Sequence, residues 1–207
     1  MSRVELYGLL FAVVLGASIL TTAGSVGFSR LRATAQSWVA TGVALAYATV
    51  LVLRPDGLEW SNAAVLAVSI AVGTRIGRGL GSRGALIAFA VTASIIDIAS
   101  FAAGPTRWLL GGGADSAWEG LGYLAISLSV SDRVVPVVGV GDLLVLAALF
   151  TGLRGLRLPA FSSAVALWAG LLAALAVGLA AGGAFGIPFM AVAAGLCLGR
   201  SSILPAS

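Results

Sequence analysis

Long apolar runs broken by short polar connections dominate this chain. A helix that crosses a bilayer needs about 20 mostly apolar residues. Seven stretches satisfy that length: 5–23, 36–53, 61–77, 84–103, 134–152, 160–182 and 184–200. Arg75 and Arg78 crowd the end of the third, and only a glycine turn at Gly182 and Gly183 separates the last two. Pro55, Pro105 and Pro159 mark connections. The longest connection, 104–133, holds a different period: Ile126, Leu128 and Val130 alternate with Ser127, Ser129 and Ser131. A period of two predicts a short strand, here placed at the membrane surface. The expected fold class is all-α, a polytopic transmembrane bundle of seven spans with one short strand in the 104–133 loop. We read 1–207 as a single membrane-embedded domain, in which 1–83 supplies supporting helices and 84–200 a core.

Composition sharpens the class. Hydrophobic residues make up 59% of the 207 positions and charged ones only 10%, against about 25% charged in soluble chains. Water cannot solvate that much apolar surface, so lipid must. The first apolar stretch is too long for a signal peptide and lacks a small-residue cleavage site. With no His and one Cys, the usual zinc and haem donor sets are missing, and no metal or organic cofactor is expected. Cys197, in an apolar span, is read as packing.

The net charge of +4 comes from twelve arginines, no lysine and eight acidic residues. Because the arginines sit at span ends, they speak for topology rather than for nucleic acid. Arg30, Arg32, Arg75, Arg78, Arg83, Arg154, Arg157 and Arg200 fall on one side, and Arg3, Arg54, Arg107 and Arg133 on the other. The richer side is expected to be cytoplasmic, which puts the N-terminus outside and the C-terminus inside.

Two carboxylates break the apolar pattern. Glu5, Asp56, Glu59, Asp115, Glu119 and Asp132 lie in connections or at span ends, whereas Asp97 and Asp142 fall within spans. An acid at mid-span costs roughly 2.5–3.5 kcal/mol on insertion scales, and no basic residue lies deep in a span to offset it. Counted from the outer ends of the fourth and fifth spans, both sit about 9–12 Å below the same surface at the α-helical rise. Neighbouring antiparallel helices usually pack together, so the two carboxyls are expected to face each other and share a proton. In such a pair one group acts as a base on water while the other donates to a carbonyl oxygen. A hydrogen bond between helices, or a proton relay in a transporter, would need the same residues, and the carboxylates alone leave the three readings level.

The second acid closes the motif Gly139-Val140-Gly141-Asp142, whose glycines are expected to let another backbone approach closely. Three features of 84–200, this motif among them, make the chain resemble the presenilin and signal peptide peptidase group of intramembrane aspartyl proteases, especially its short archaeal members. One feature is Asp97 in Ile95-Ile96-Asp97-Ile98, with Gly104-Pro105-Thr106-Arg107 after it. Another is the Gly-x-Gly-Asp itself. The third is Gly186-Ile187-Pro188-Phe189-Met190, which falls where the family has Pro-Ala-Leu. Ile96 stands where the family has Tyr, and Phe189 and Met190 where it has Ala and Leu. Seven spans are expected here against the family's nine.

The resemblance implies an intramembrane aspartic endopeptidase acting on transmembrane segments or remnant signal peptides. It makes Asp97 and Asp142 the catalytic dyad, with Gly139, Gly141, Pro188, Phe189 and Met190 shaping the site. The strand at 126–130 would pair with an unwound substrate segment. The alternatives are a prepilin or preflagellin peptidase, which shares Gly-x-Gly-Asp but has Lys shortly after it where this chain has Leu143-Leu144, and a transporter with an intramembrane acid pair.

Overall fold

The computed structural model describes residues 3–53, 58–103, 124–130, 133–181 and 186–200. In chain order these form α1 (Arg3–Ser29), α2 (Ala33–Leu53), α3 (Leu58–Gly79), α4 (Arg83–Ala103), β1 (Ala125–Val130), β2 (Arg133–Gly139), α5 (Val140–Gly155), α6 (Ala160–Ala181) and α7 (Gly186–Arg200). Four of the helices, α1, α2, α4 and α6, are long and apolar enough to cross a membrane. Their outward faces are apolar as well. Trp38, Leu45 and Val52 on α2, and Ile87, Val91, Ile95 and Ile96 on α4, all point away from the bundle. In water such continuous apolar faces would drive association, whereas a bilayer solvates them.

The expected strand is present, and it has a partner that the sequence reading placed in a helix. Residues 134–139, taken as the start of the fifth span, form β2 together with Arg133. Val134, Val135, Val137 and Val138 favour extended backbone, and Pro136 cannot donate to a helical ladder. The strands run antiparallel from Ala125↔Gly139 to Val130↔Arg133, with Val137 left over as a bulge between Ile126↔Val138 and Ser127↔Pro136. The Val140 N–H donates to the Leu124 carbonyl at 2.9 Å, closing the hairpin where β2 turns into α5.

The short helix α5 is the axis of the fold. Leu143, Leu146, Ala147, Ala148, Leu149 and Leu153 are fully buried, and α1, α3, α4, α6 and α7 all pack around it. Its closest neighbour is α3, and the cause is a stripe of small residues. A methyl group on Gly73 would collide with the Leu144 carbonyl oxygen, and one on Gly77 with that of Ala148. This is the small-xxx-small packing by which membrane helices bring backbones together. One turn earlier, the Ser69 hydroxyl donates to the Val140 carbonyl at 3.2 Å. On α1, buried hydroxyls satisfy themselves internally: Ser18, Thr21 and Ser25 donate to the carbonyls of Val14, Ala17 and Thr21 at 2.7, 2.7 and 2.8 Å.

A polar clamp ties α1, α2 and α3 at one end. The Arg78 guanidinium donates to the Gln36 side-chain oxygen at 2.6 Å and also to the Ser29 carbonyl. Gln36 in turn donates to the Phe28 carbonyl at 2.7 Å. A cation therefore satisfies an orphan carbonyl at the C-terminus of α1, which gives the arginine in the last turn of α3 a structural use.

Candidate active site

Asp97 and Asp142 reach one place from opposite directions, Asp97 from the second half of α4 and Asp142 from the first turn of α5. They meet at the start of α7. The Ile187 N–H donates to Asp97 Oδ2 at 3.3 Å. The preceding residue, Gly186, lies against the Asp142 carboxyl so closely that a methyl group there would collide with Asp142 Oδ1. Two adjacent residues of α7 thus bridge the two acids. Both carboxyls are half-buried.

Each acid is held by backbone. Helix N-termini leave N–H groups without intrahelical partners, and both aspartates use such groups. Asp142 Oδ2 accepts from the Gly139 N–H at 3.3 Å, folding back over its own helix start. Asp97 takes the N–H of the second residue of α7. Because α5 begins at Val140, Asp142 is its third residue rather than a mid-helix position. The strand β2, not a helix, precedes α5, so a depth counted for Asp142 at the α-helical rise does not hold. A cavity of about 100 Å³ opens beside Asp142 and Gly186, walled by Val14, Val138, Leu171 and Ala174. It is large enough for water.

The glycines of the Gly-x-Gly-Asp motif do not act as expected. Nothing lies within 4 Å of where a side chain on Gly141 would begin, and at Gly139 such a group would meet chiefly Asp142 itself, at 3.3 Å. Neither admits a neighbouring helix. The close approaches are made by Gly73 and Gly77 on α3, by Gly186, and by Gly170 on α6, where a methyl would come within 2.9 Å of the Phe189 carbonyl oxygen.

Of the third motif, Met190 is buried and Pro188 and Phe189 are half-buried in the first turns of α7, where proline fits without breaking the helix. The residues that touch the aspartates are the preceding two, Gly186 and Ile187. The stretch Gly104–Leu110 lies outside the described residues.

A residue that the sequence reading passed over organises the hairpin. The Asn62 side chain on α3 accepts the Ser127 N–H at 2.8 Å and donates to the Ser127 carbonyl at 2.9 Å. An amide thus takes the place of a third strand against the outer edge of β1. The signal was a lone Asn in an apolar helix, where polar side chains usually bond across helices.

Among the described residues no three His, Cys, Asp or Glu side chains gather as metal ligands would. Two carboxyls brought to one place can act as an acid and base pair, one taking a proton from water while the other donates. Comparison of the chain with protein-family models, with curated proteins and with solved structures yields no match.

Proposed function

We propose that this chain is an intramembrane aspartyl endopeptidase of the presenilin and signal peptide peptidase type, with Asp97 and Asp142 as its dyad. The observation that carries the reading is the convergence of the two acids on Gly186 and Ile187. Three separate segments, each quoted by the family resemblance, come together there, and a cavity with room for water opens beside Asp142 and Gly186. A single structural hydrogen bond between helices would not need an acid pair backed by two helix starts.

In the reaction, the ionised carboxyl removes a proton from water as its oxygen attacks the carbonyl carbon of the scissile bond. The protonated carboxyl donates to the carbonyl oxygen. Collapse of the tetrahedral intermediate breaks the C–N bond, and a proton passes to the leaving amine. The water is consumed, and the products are a carboxylic acid and an amine. The bundle spans the bilayer seven times with its N-terminus outside, and its substrates are transmembrane or signal-peptide helices that unwind to expose a peptide bond.

The unwound segment pairs with the hairpin, but along a different edge from the one the strand pattern suggested. Asn62 already occupies the outer edge of β1 at Ser127. The outward edge of β2 offers the backbone groups of Val134 and the carbonyl of Pro136, and the strand leads directly to Gly139, whose N–H the Asp142 carboxyl holds.

The test uses purified protein in liposomes with a labelled single-span peptide, comparing wild type with Asp97→Asn and Asp142→Asn. Fragments cut within the apolar segment by wild type, and by neither variant, are the expected result. Cleavage surviving both substitutions would sink the dyad. Proton flux without fragments would turn the reading toward transport.

A further inference from the structure

Far from the aspartates, the other end of the bundle carries a concave site that proteolysis does not use. A groove of about 760 Å³ runs between the start of α6 and the end of α7, a volume typical of small-molecule sites. Ala166, Leu196 and Cys197 give it apolar walls, and Arg157, Arg200 and Ser162 line it as well. Both arginines are exposed. Neither has a carboxylate partner among the described residues, because the segments 27–36, 72–86, 151–163 and 197–200 contain eight arginines and no Asp or Glu. Arg78 at the same end is consumed by the clamp on Ser29 and Gln36, and Arg154 lies over the Phe150 ring at 5.9 Å.

Arg157 is placed in the groove by a conformation that costs stability. The end of α5 is a Schellman turn: the Leu158 N–H donates to the Leu153 carbonyl at 3.2 Å and the Arg157 N–H to the Arg154 carbonyl at 2.9 Å. The left-handed position of that turn usually holds glycine. Here it holds Arg157 with φ of 62°, the only non-glycine with positive φ among the described residues. Glycine would adopt this conformation without steric penalty. An arginine at such a position points to a use for its side chain.

We propose that this groove binds one anionic phospholipid, its phosphate held by Arg157 and Arg200 and an acyl chain laid along Ala166, Leu196 and Cys197. Guanidinium groups pair with phosphate through parallel N–H donors. Basic pockets between membrane helices take anionic headgroups for the same reason. The apolar walls suit a ligand whose tail is already dissolved in the surrounding bilayer. The site is independent of the peptidase reading, and either can fail without the other.

Native mass spectrometry of the full chain, released from detergent, tests it. The probes are phosphatidylglycerol, phosphatidylcholine with the same acyl chains, and inorganic phosphate. Wild type is expected to retain one phosphatidylglycerol about tenfold better than phosphatidylcholine, the scale of a lost charged contact. Arg157→Gly relieves the left-handed strain, so it should melt no lower than wild type, yet together with Arg200→Gln it should lose the preference. Arg30→Gln with Arg32→Gln, at the same end but outside the groove, should keep it. Equal retention of the two lipids, or a preference unchanged in the groove double variant, would overturn the proposal. Equal loss in the Arg30 and Arg32 variant would reduce it to general surface charge. Retention of inorganic phosphate in place of lipid would assign the groove to a free anion instead.

Discussion

The Ile187 N–H donates to Asp97 Oδ2 at 3.3 Å, joining residues 90 positions apart. Its neighbour Gly186 abuts the carboxyl of Asp142. The start of the last helix is therefore a backbone gauge that sets the spacing of the two acids, and substitutions there should act on the chemistry more than on the fold.

Gly186→Ala is the sharpest test of that gauge. The added methyl meets Asp142 Oδ1 and Cγ, so the carboxyl must move. Displacements on the ångström scale cost about 100-fold in rate. Peptide cleavage in liposomes should fall by that order while the melting temperature changes little. An unchanged rate would mean that the contact does not position Asp142.

The glycines of α3 and the motif glycine Gly141 should respond in opposite ways. Gly73→Ala and Gly77→Ala each push a methyl into a backbone carbonyl of α5, which cannot rotate away, and overpacking of this kind costs about 1–3 kcal/mol. Gly141→Ala meets nothing within 4 Å and should leave stability unchanged. Thermal unfolding in detergent separates the two. A fall in cleavage for Gly141→Ala at full stability would place substrate in the open space beside it.

Asn62→Ala removes both side-chain bonds to Ser127. Losing a hydrogen-bond partner at a buried group costs about 1–3 kcal/mol, so the variant should melt lower. Asn62→Asp keeps an acceptor for the Ser127 N–H and should lose less. Ser127→Pro deletes the N–H that Asn62 holds, so it reports on the hairpin rather than on substrate pairing.

Substrate pairing is better probed on β2. Asn62 binds Ser127 on the side away from β2, which makes Ser127↔Pro136 a pair whose backbone groups face outward; two residues on, Ser129↔Val134 repeats that geometry. Val134→Pro therefore removes an outward donor without disturbing the ladder to β1. Cleavage should fall with stability retained. If cleavage is unaffected, the substrate strand does not use this edge.

Some of this protein is written in its residue order, because the cause is local or compositional. Apolar runs long enough for a bilayer identify the helices α1, α2, α4 and α6, and the alternation from Ile126 to Val130 identifies a strand. Asp97 and Asp142 stand out since a carboxylate among apolar residues has no cheap explanation. Other features depend on what packs against what, and only the tertiary structure decides them. Val134–Gly139 is hydrophobic enough for a span, yet pairing with β1 makes it a strand and moves Asp142 into the first turn of a helix. Glycines look alike along the chain, but Gly73, Gly77, Gly170 and Gly186 carry close contacts while Gly141 faces open space. The motif at 186–190 marks the right helix start, and it is the two residues before Pro188 that touch the acids. A backbone N–H leaves no trace in residue type, so its use by Asp97 becomes visible only once the helices are packed.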